Sequence, residues 1–134
     1  DTEAKQLKRH QMIQQVKKGE FPEVVQELVN SFVYSPSIKS QVEKMLLKSG
    51  AEKFIRQENA MLKREECFSV LPTIQCPTLV VHATMDQVFH LDDLQEIADG
   101  IPKANLAIIE ECGHMSLLEK PDRVNTLLSK WLKS

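Results

Sequence analysis

Pro77-Thr78-Leu79-Val80-Val81-His82-Ala83-Thr84-Met85-Asp86 is a short apolar run that ends in a loop carrying one carboxylate. Asn105-Leu106-Ala107-Ile108-Ile109-Glu110-Glu111-Cys112-Gly113-His114 repeats that plan with an imidazole at its end. Apolar and polar residues do not alternate within residues 78–83 and 106–109, so both runs read as strands buried on both faces, the pattern of a parallel sheet. Between them Leu94, Ile97, Ala98 and Ile101 keep helical spacing; Asp93-x-x-Glu96 reads as a capping box with Asp93 as the cap, and Gly100 with Pro102 ends the helix. A strand, a crossover helix and a second strand form a right-handed unit whose strands lie side by side and point the same way. The loops that follow them open on one edge of the sheet, where α/β proteins place their chemistry. Adjacent strands are about 4.8 Å apart, so the carboxylate of Asp86 can reach the ring of His114. That is the orienting half of a nucleophile, histidine and acid triad.

The chain has 134 residues, which suits one domain, with an ordinary hydrophobic fraction and a formal net charge of -2. Such a balance points to neither nucleic acid nor an anionic membrane surface as a partner. No apolar run approaches the roughly 20 residues of a membrane helix, and no signal peptide is visible. Cys67, Cys76 and Cys112 are odd in number and sit in apolar or loop contexts, which fits reduced thiols in a cytoplasm rather than a disulfide framework. The first residue is Asp1 rather than methionine, as expected of a processed product or a fragment.

Upstream of the first strand the chain reads as four helices. Residues 3–18 are polar with Leu7, Ile13 and Val16 as a thin apolar line, closed by Gly19. Pro22 suits the first turn of a second helix lined by Val25, Leu28, Val29 and Phe32. Ser35-Pro36-Ser37 interrupts; a third helix over about 37–48 carries Ile38, Val42, Met45 and Leu46, with Gly50 as its stop, and a fourth over about 51–63 presents Phe54, Ile55, Met61 and Leu62. Four short helices in succession make a helical cap or a small bundle. Pro72 and Pro77, so close together, exclude helix and lead into the first strand. After the second strand, Pro121 opens a last helix whose Val124, Leu127, Leu128, Trp131 and Leu132 form an apolar stripe expected to be core.

Cys76-Pro77-Thr78-Leu79-Val80-Val81 leading to Asp86, then Cys112-Gly113-His114, and Glu119-Lys120-Pro121 before the last helix, together resemble the C-terminal part of an α/β-hydrolase-fold enzyme. Met12-Ile13, Gly19-Glu20-Phe21, Phe54-Ile55-Arg56-Gln57 and Ala60-Met61 fall in the order of that family's helical cap. The resemblance implies a partial α/β-hydrolase fold: a cap segment over residues 1–68, then a β-α-β-α part of the core with parallel strands over 69–134, with residues 1 and 2 just past the strand preceding the cap. It implies Asp86 as triad acid and His114 as triad base of a serine hydrolase acting on a small ester, or a related acyl or carbon–carbon bond, without a cofactor. Ala83 stands where the family usually has glycine, and His90 where it usually has proline. The nucleophile motif G-x-S-x-G does not occur in the chain, whose glycines are Gly19, Gly50, Gly100 and Gly113. The chain alone is therefore expected to be inactive. Two other readings stay open: a stand-alone interaction module derived from the fold, and one half of a split enzyme.

Met85 and Met115 flank the two triad-like residues and are candidate substrate contacts or simply core filler. Arg56 and Gln57 read either as pocket residues under the cap or as a solvated helix face. His82, His90, His114 and Cys112 lack the spacing of a metal site, so none is assigned. Cys112, two residues from His114 on one loop, is poorly placed to replace the serine. In the family's sheet the strand over 78–83 is interior; with its outer neighbour missing it exposes a free edge, a template for association. The expected partner is a second copy or a complementary half, joined edge to edge through Thr78 to Ala83.

Overall fold

The structure is a computed structural model that describes residues 2–133. It divides into two compact units, Asp1–Asn30 with Lys39–Glu66, and Ser31–Ile38 with Cys67–Ser134. The expectation for the chain's first residue falls on Asp1, outside the described residues.

The first unit is built from helices α1 (Glu3–Lys17), α2 (Phe21–Phe32, whose last two residues belong to the other unit), α3 (Lys39–Ser49) and α4 (Ala51–Leu62). The Thr2 hydroxyl accepts the Lys5 N–H at 3.3 Å and caps α1. Gly19 at φ +93° and Gly50 at φ +82° make the reversals after α1 and before α4, in a backbone region that costs glycine little. Helices of this length are marginal alone, so packing holds them. Met12, Val16, Val24 and Phe54 form one buried cluster, with Phe21, Leu28, Ala51 and Ile55 against it, and Ile13, Val25, Val29 and Val42 are buried as well. The Phe21 and Phe54 rings lie 5.8 Å apart at a tilt, and burying each such side chain stabilises by roughly 1.5–3 kcal/mol. Arg9 Nη1 donates to Glu58 Oε2 at 2.8 Å, joining α1 to α4. The expected apolar line on α1 needs one correction: Leu7 is exposed, and Met12 takes its place beside Ile13 and Val16. The third helix starts at Lys39 after a single 3-10 turn, Pro36–Ile38, because the fixed φ of Pro36 favours a tight turn there.

The second unit carries the sheet. Strands β1 (Thr78–Ala83) and β2 (Ala104–Ile109) pair in parallel, with Thr78 opposite Ala104 and Ala83 opposite Ile109. Helix α5 (Leu91–Gly100) crosses over between them and packs on both. A one-turn helix α6 (Ser116–Glu119) and α7 (Pro121–Trp131) complete the order. Val81, Ala83 and Ile109 share one sheet face by alternation, and with Cys112, Val124 and Leu127 they form one hydrophobic cluster.

Several expectations for this unit are corrected. The segment before β1 contains a 3-10 helix, Phe68–Thr73, with Pro72 inside it; proline bars an α-helix, but so short an element has few N–H groups to lose. Helix α5 begins at Leu91 with His90 as its cap, and the Asp93 carboxylate accepts the His90 N–H at 3.0 Å. Asp93 thus acts three residues inside the helix rather than as its cap. The strands are not buried on both faces: Ile109 is the one buried residue of β2, and Ile108 is 41% exposed. A two-stranded sheet lacks the cover that wider parallel sheets receive. The expected stripe is core at Val124 only, with Leu127 and Trp131 half-buried and Leu128 and Leu132 exposed; Leu132 lies past the end of α7.

Candidate active site

Both strands deliver their loops to the same edge, and backbone bonds lock these loops together. Thr84 N–H donates to the Ile109 carbonyl at 3.0 Å, and Met85 N–H to the Cys112 carbonyl at 2.9 Å. Glu111, held at φ +50°, donates its N–H to Thr84 Oγ1 at 3.0 Å. A non-glycine residue rarely occupies that region, and here it turns the second loop back toward the first.

On this base His114 Nδ1 lies 3.0 Å from Asp86 Oδ2. The other oxygen, Asp86 Oδ1, accepts the N–H groups of Val88 at 2.7 Å and Phe89 at 3.3 Å, and the Asp86 N–H itself donates to the Ala83 carbonyl at 3.0 Å. The carboxylate is 10% exposed and the imidazole 31%, so the acid is enclosed while part of the ring faces out. With Nδ1 donating to the carboxylate, the lone pair of neutral histidine sits on Nε2, the nitrogen able to take a proton.

Two aromatic rings lie near the imidazole. Phe32 lies 5.2 Å and Phe89 5.8 Å from it, centroid to centroid, both tilted. Met85 is exposed beside Asp86; Met115 is half-buried after His114 and donates its N–H to the Phe32 carbonyl at 3.2 Å. Arg56 and Gln57 belong to the first unit, where both are exposed on α4 and Arg56 approaches Glu52 at 3.9 Å. Cys112 is fully buried, and desolvation, aided by the nearby charge of Glu119, pushes its thiol from the ordinary 9.0 to about 11. A thiol held neutral in this way is no nucleophile.

Three contributors escape the sequence reading. Phe89 could have been found, since it lies three residues past Asp86 in the same loop. Phe32 lies far upstream in the chain. Glu119, noted there only as part of a motif, binds the Gly113 N–H at 3.1 Å and the Ser35 N–H at 2.8 Å.

A parallel β-α-β unit that brings a carboxylate and a histidine together past the C-terminal ends of its strands defines a hydrolase-like α/β architecture. The family profile for the alpha/beta hydrolase fold matches residues 3–121, and the chain belongs to that family. It is 27% identical over 117 residues to a 2-hydroxy-6-oxononadienedioate/2-hydroxy-6-oxononatrienedioate hydrolase of a Pseudomonas species, covering 82% of this chain and 41% of that protein. It is 37% identical over 68 residues to the bifunctional epoxide hydrolase 2 of Rattus norvegicus, covering 51% of this chain and 12% of that one. Among solved structures, a thermophilic esterase from Thermogutta terrifontis superposes with a TM-score of 0.90 at 22% identity, over 99% of this chain and 51% of the esterase. The likeness to that structure is one of fold. The chain spans less than half the length of the Pseudomonas hydrolase. Among the described residues, no helix is long and apolar enough to cross a membrane.

Proposed function

We propose that this chain is the cap-bearing C-terminal portion of a serine hydrolase of small esters or related acyl or carbon–carbon bonds, with residues 1–68 as the cap and 69–134 as part of the core. Its nucleophile and oxyanion hole lie in residues outside these 134. The observation that carries this reading is the 3.0 Å contact of His114 Nδ1 with Asp86 Oδ2, where two parallel strands end side by side. In the reaction the serine attacks the carbonyl, and His114 Nε2 takes its proton and returns it to the leaving group. Asp86 holds the imidazole and stabilises its charged form. Met85 and Met115 flank the pair and meet the substrate. No cofactor has a part in this chemistry. The reading frame immediately upstream of the Asp1 codon is the test: it should continue and encode strands and a G-x-S-x-G turn. A frame that opens at Asp1 overturns the proposal.

A second reading rests on the free edge of β1, which pairs with β2 and with no other strand among the described residues. Unpaired backbone groups along Thr78 to Ala83 offer an edge to another copy, or to a complementary half, giving one continuous sheet. Light scattering should find a dimer of the isolated chain at micromolar concentration, and a stable monomer counts against it.

A further inference from the structure

Glu119, the last residue of α6, lies five positions beyond His114, and both its oxygens are engaged by backbone. Oε1 accepts the Gly113 N–H at 3.1 Å, and Oε2 accepts the Ser35 N–H at 2.8 Å across 84 residues of chain. On the other side of the histidine, Met115 N–H donates to the Phe32 carbonyl at 3.2 Å. Both neighbours of His114 are therefore bound to residues 32–35 or to the carboxylate that grips them. The same short segment brings the Phe32 ring to 5.2 Å from the imidazole. The fit leaves no slack: a Cβ on Gly113 would stand 2.7 Å from Glu119 Oε1 and 2.8 Å from both Phe32 O and Tyr34 N. Bonds from N–H to an ionised carboxylate are about twice as strong as neutral ones. A charged acceptor with two separate oxygens is what this junction uses.

We propose that Glu119 is a positioning residue for His114: by accepting the Gly113 and Ser35 amides it holds residues 32–35 against the histidine loop. The imidazole is thereby fixed against Phe32 and Phe89 with Nδ1 on Asp86. The inference rests on the reading of His114 and Asp86 as base and acid. A ring locked in one orientation presents Nε2 to the nucleophile without a search among rotamers, and small misplacements of such a group cost much rate.

The test is NMR on the 134-residue chain, comparing the unmutated protein with Glu119→Gln, Glu119→Ala and Glu110→Gln. Glutamine keeps the size but turns one acceptor oxygen into a donor that faces an N–H. Glu110, an exposed neighbour of the same loop, controls for charge. In both Glu119 variants the Gly113 and Ser35 amides should exchange faster by about tenfold or more. The downfield His114 Nδ1–H resonance should broaden or vanish, and Glu110→Gln should leave both readouts in place. Unchanged exchange overturns the proposal. So does faster exchange with the His114 resonances unmoved, which is the mark of a purely structural role. Should Glu119→Ala fail to fold, Glu119→Gln decides alone. A missing Nδ1–H resonance in the unmutated chain counts against the acid–base reading. Positioning is then judged on the Phe32 ring-current shifts of the His114 carbon-bound protons, whose persistence in Glu119→Gln refutes it and whose loss supports it.

Discussion

Replacing Gly113 with alanine places one methyl group where the histidine loop, segment 32–35 and Glu119 converge. The new Cβ would sit 2.7 Å from Glu119 Oε1, 2.8 Å from the Phe32 carbonyl oxygen and 2.8 Å from the Tyr34 nitrogen, at least roughly 0.7 Å inside ordinary contact. Two of these atoms are backbone and cannot turn aside. Glu119 can swing away, but only by releasing the Gly113 and Ser35 N–H groups it holds. Overpacking of this kind costs about 1–3 kcal/mol, and freeing an N–H bonded to a charged acceptor costs about 1.5–3 kcal/mol more. A net loss of about 1–3 kcal/mol follows, since the loop relaxes along whichever route is cheaper. For a chain of this size that lowers the midpoint of thermal unfolding by about 3 °C or more. Trp131, the sole tryptophan, belongs to the same unit, so its fluorescence follows the melting of that unit. A midpoint within about 1 °C of the parent would refute the packing described at Gly113.

Two further outcomes follow from the same loops. Glu111 at φ +50° carries strain that glycine does not, so Glu111→Gly should raise stability by up to about 1 kcal/mol and with it the urea midpoint, whereas Glu110→Gly, outside that region, should lower it. Cys67 and Cys76 are exposed and Cys112 is buried, so a disulfide reagent should modify two thiols promptly and the third only on unfolding. Because burial first, and Glu119 second, raise the Cys112 thiol from 9.0 to about 11, the unfolded chain loses that proton before the folded one. Stability from this group is complete below pH 9 and falls as pH rises toward 11, by about 2–3 kcal/mol in all. Denaturation at stepped pH should show that slope, and Cys112→Ala should flatten it.

The strand Thr78–Ala83 could be read to the residue because Pro77 bounds an unbroken apolar run and the Asp86 loop ends it. The second strand was read two residues short: Ala104 and Asn105 carry little apolar signal and are strand because they pair with Thr78 and Leu79. Helix α6 left no periodicity to detect, being one turn long. Asp86 and His114 were visible because topology alone carries two successive parallel strands to one edge. Phe32 and Glu119 were not visible as parts of the site. Their contacts with the histidine loop and with Ser35 depend on how distant residues pack, which local pattern does not encode. Exposure of Leu128 and Leu132 likewise depends on what packs against the last helix, not on the stripe itself.

Hydrolysis of a p-nitrophenyl ester decides whether His114 is a base that lacks its nucleophile within these residues. No turnover by the 134-residue chain above that of its His114→Ala variant is expected. Turnover is expected from the protein encoded by the whole reading frame, reduced about 10³-fold or more when His114 becomes alanine. Activity of the 134 residues alone that disappears with His114, or activity of the whole protein that survives its loss, would contradict the assignment of His114 as a base whose nucleophile lies outside these residues.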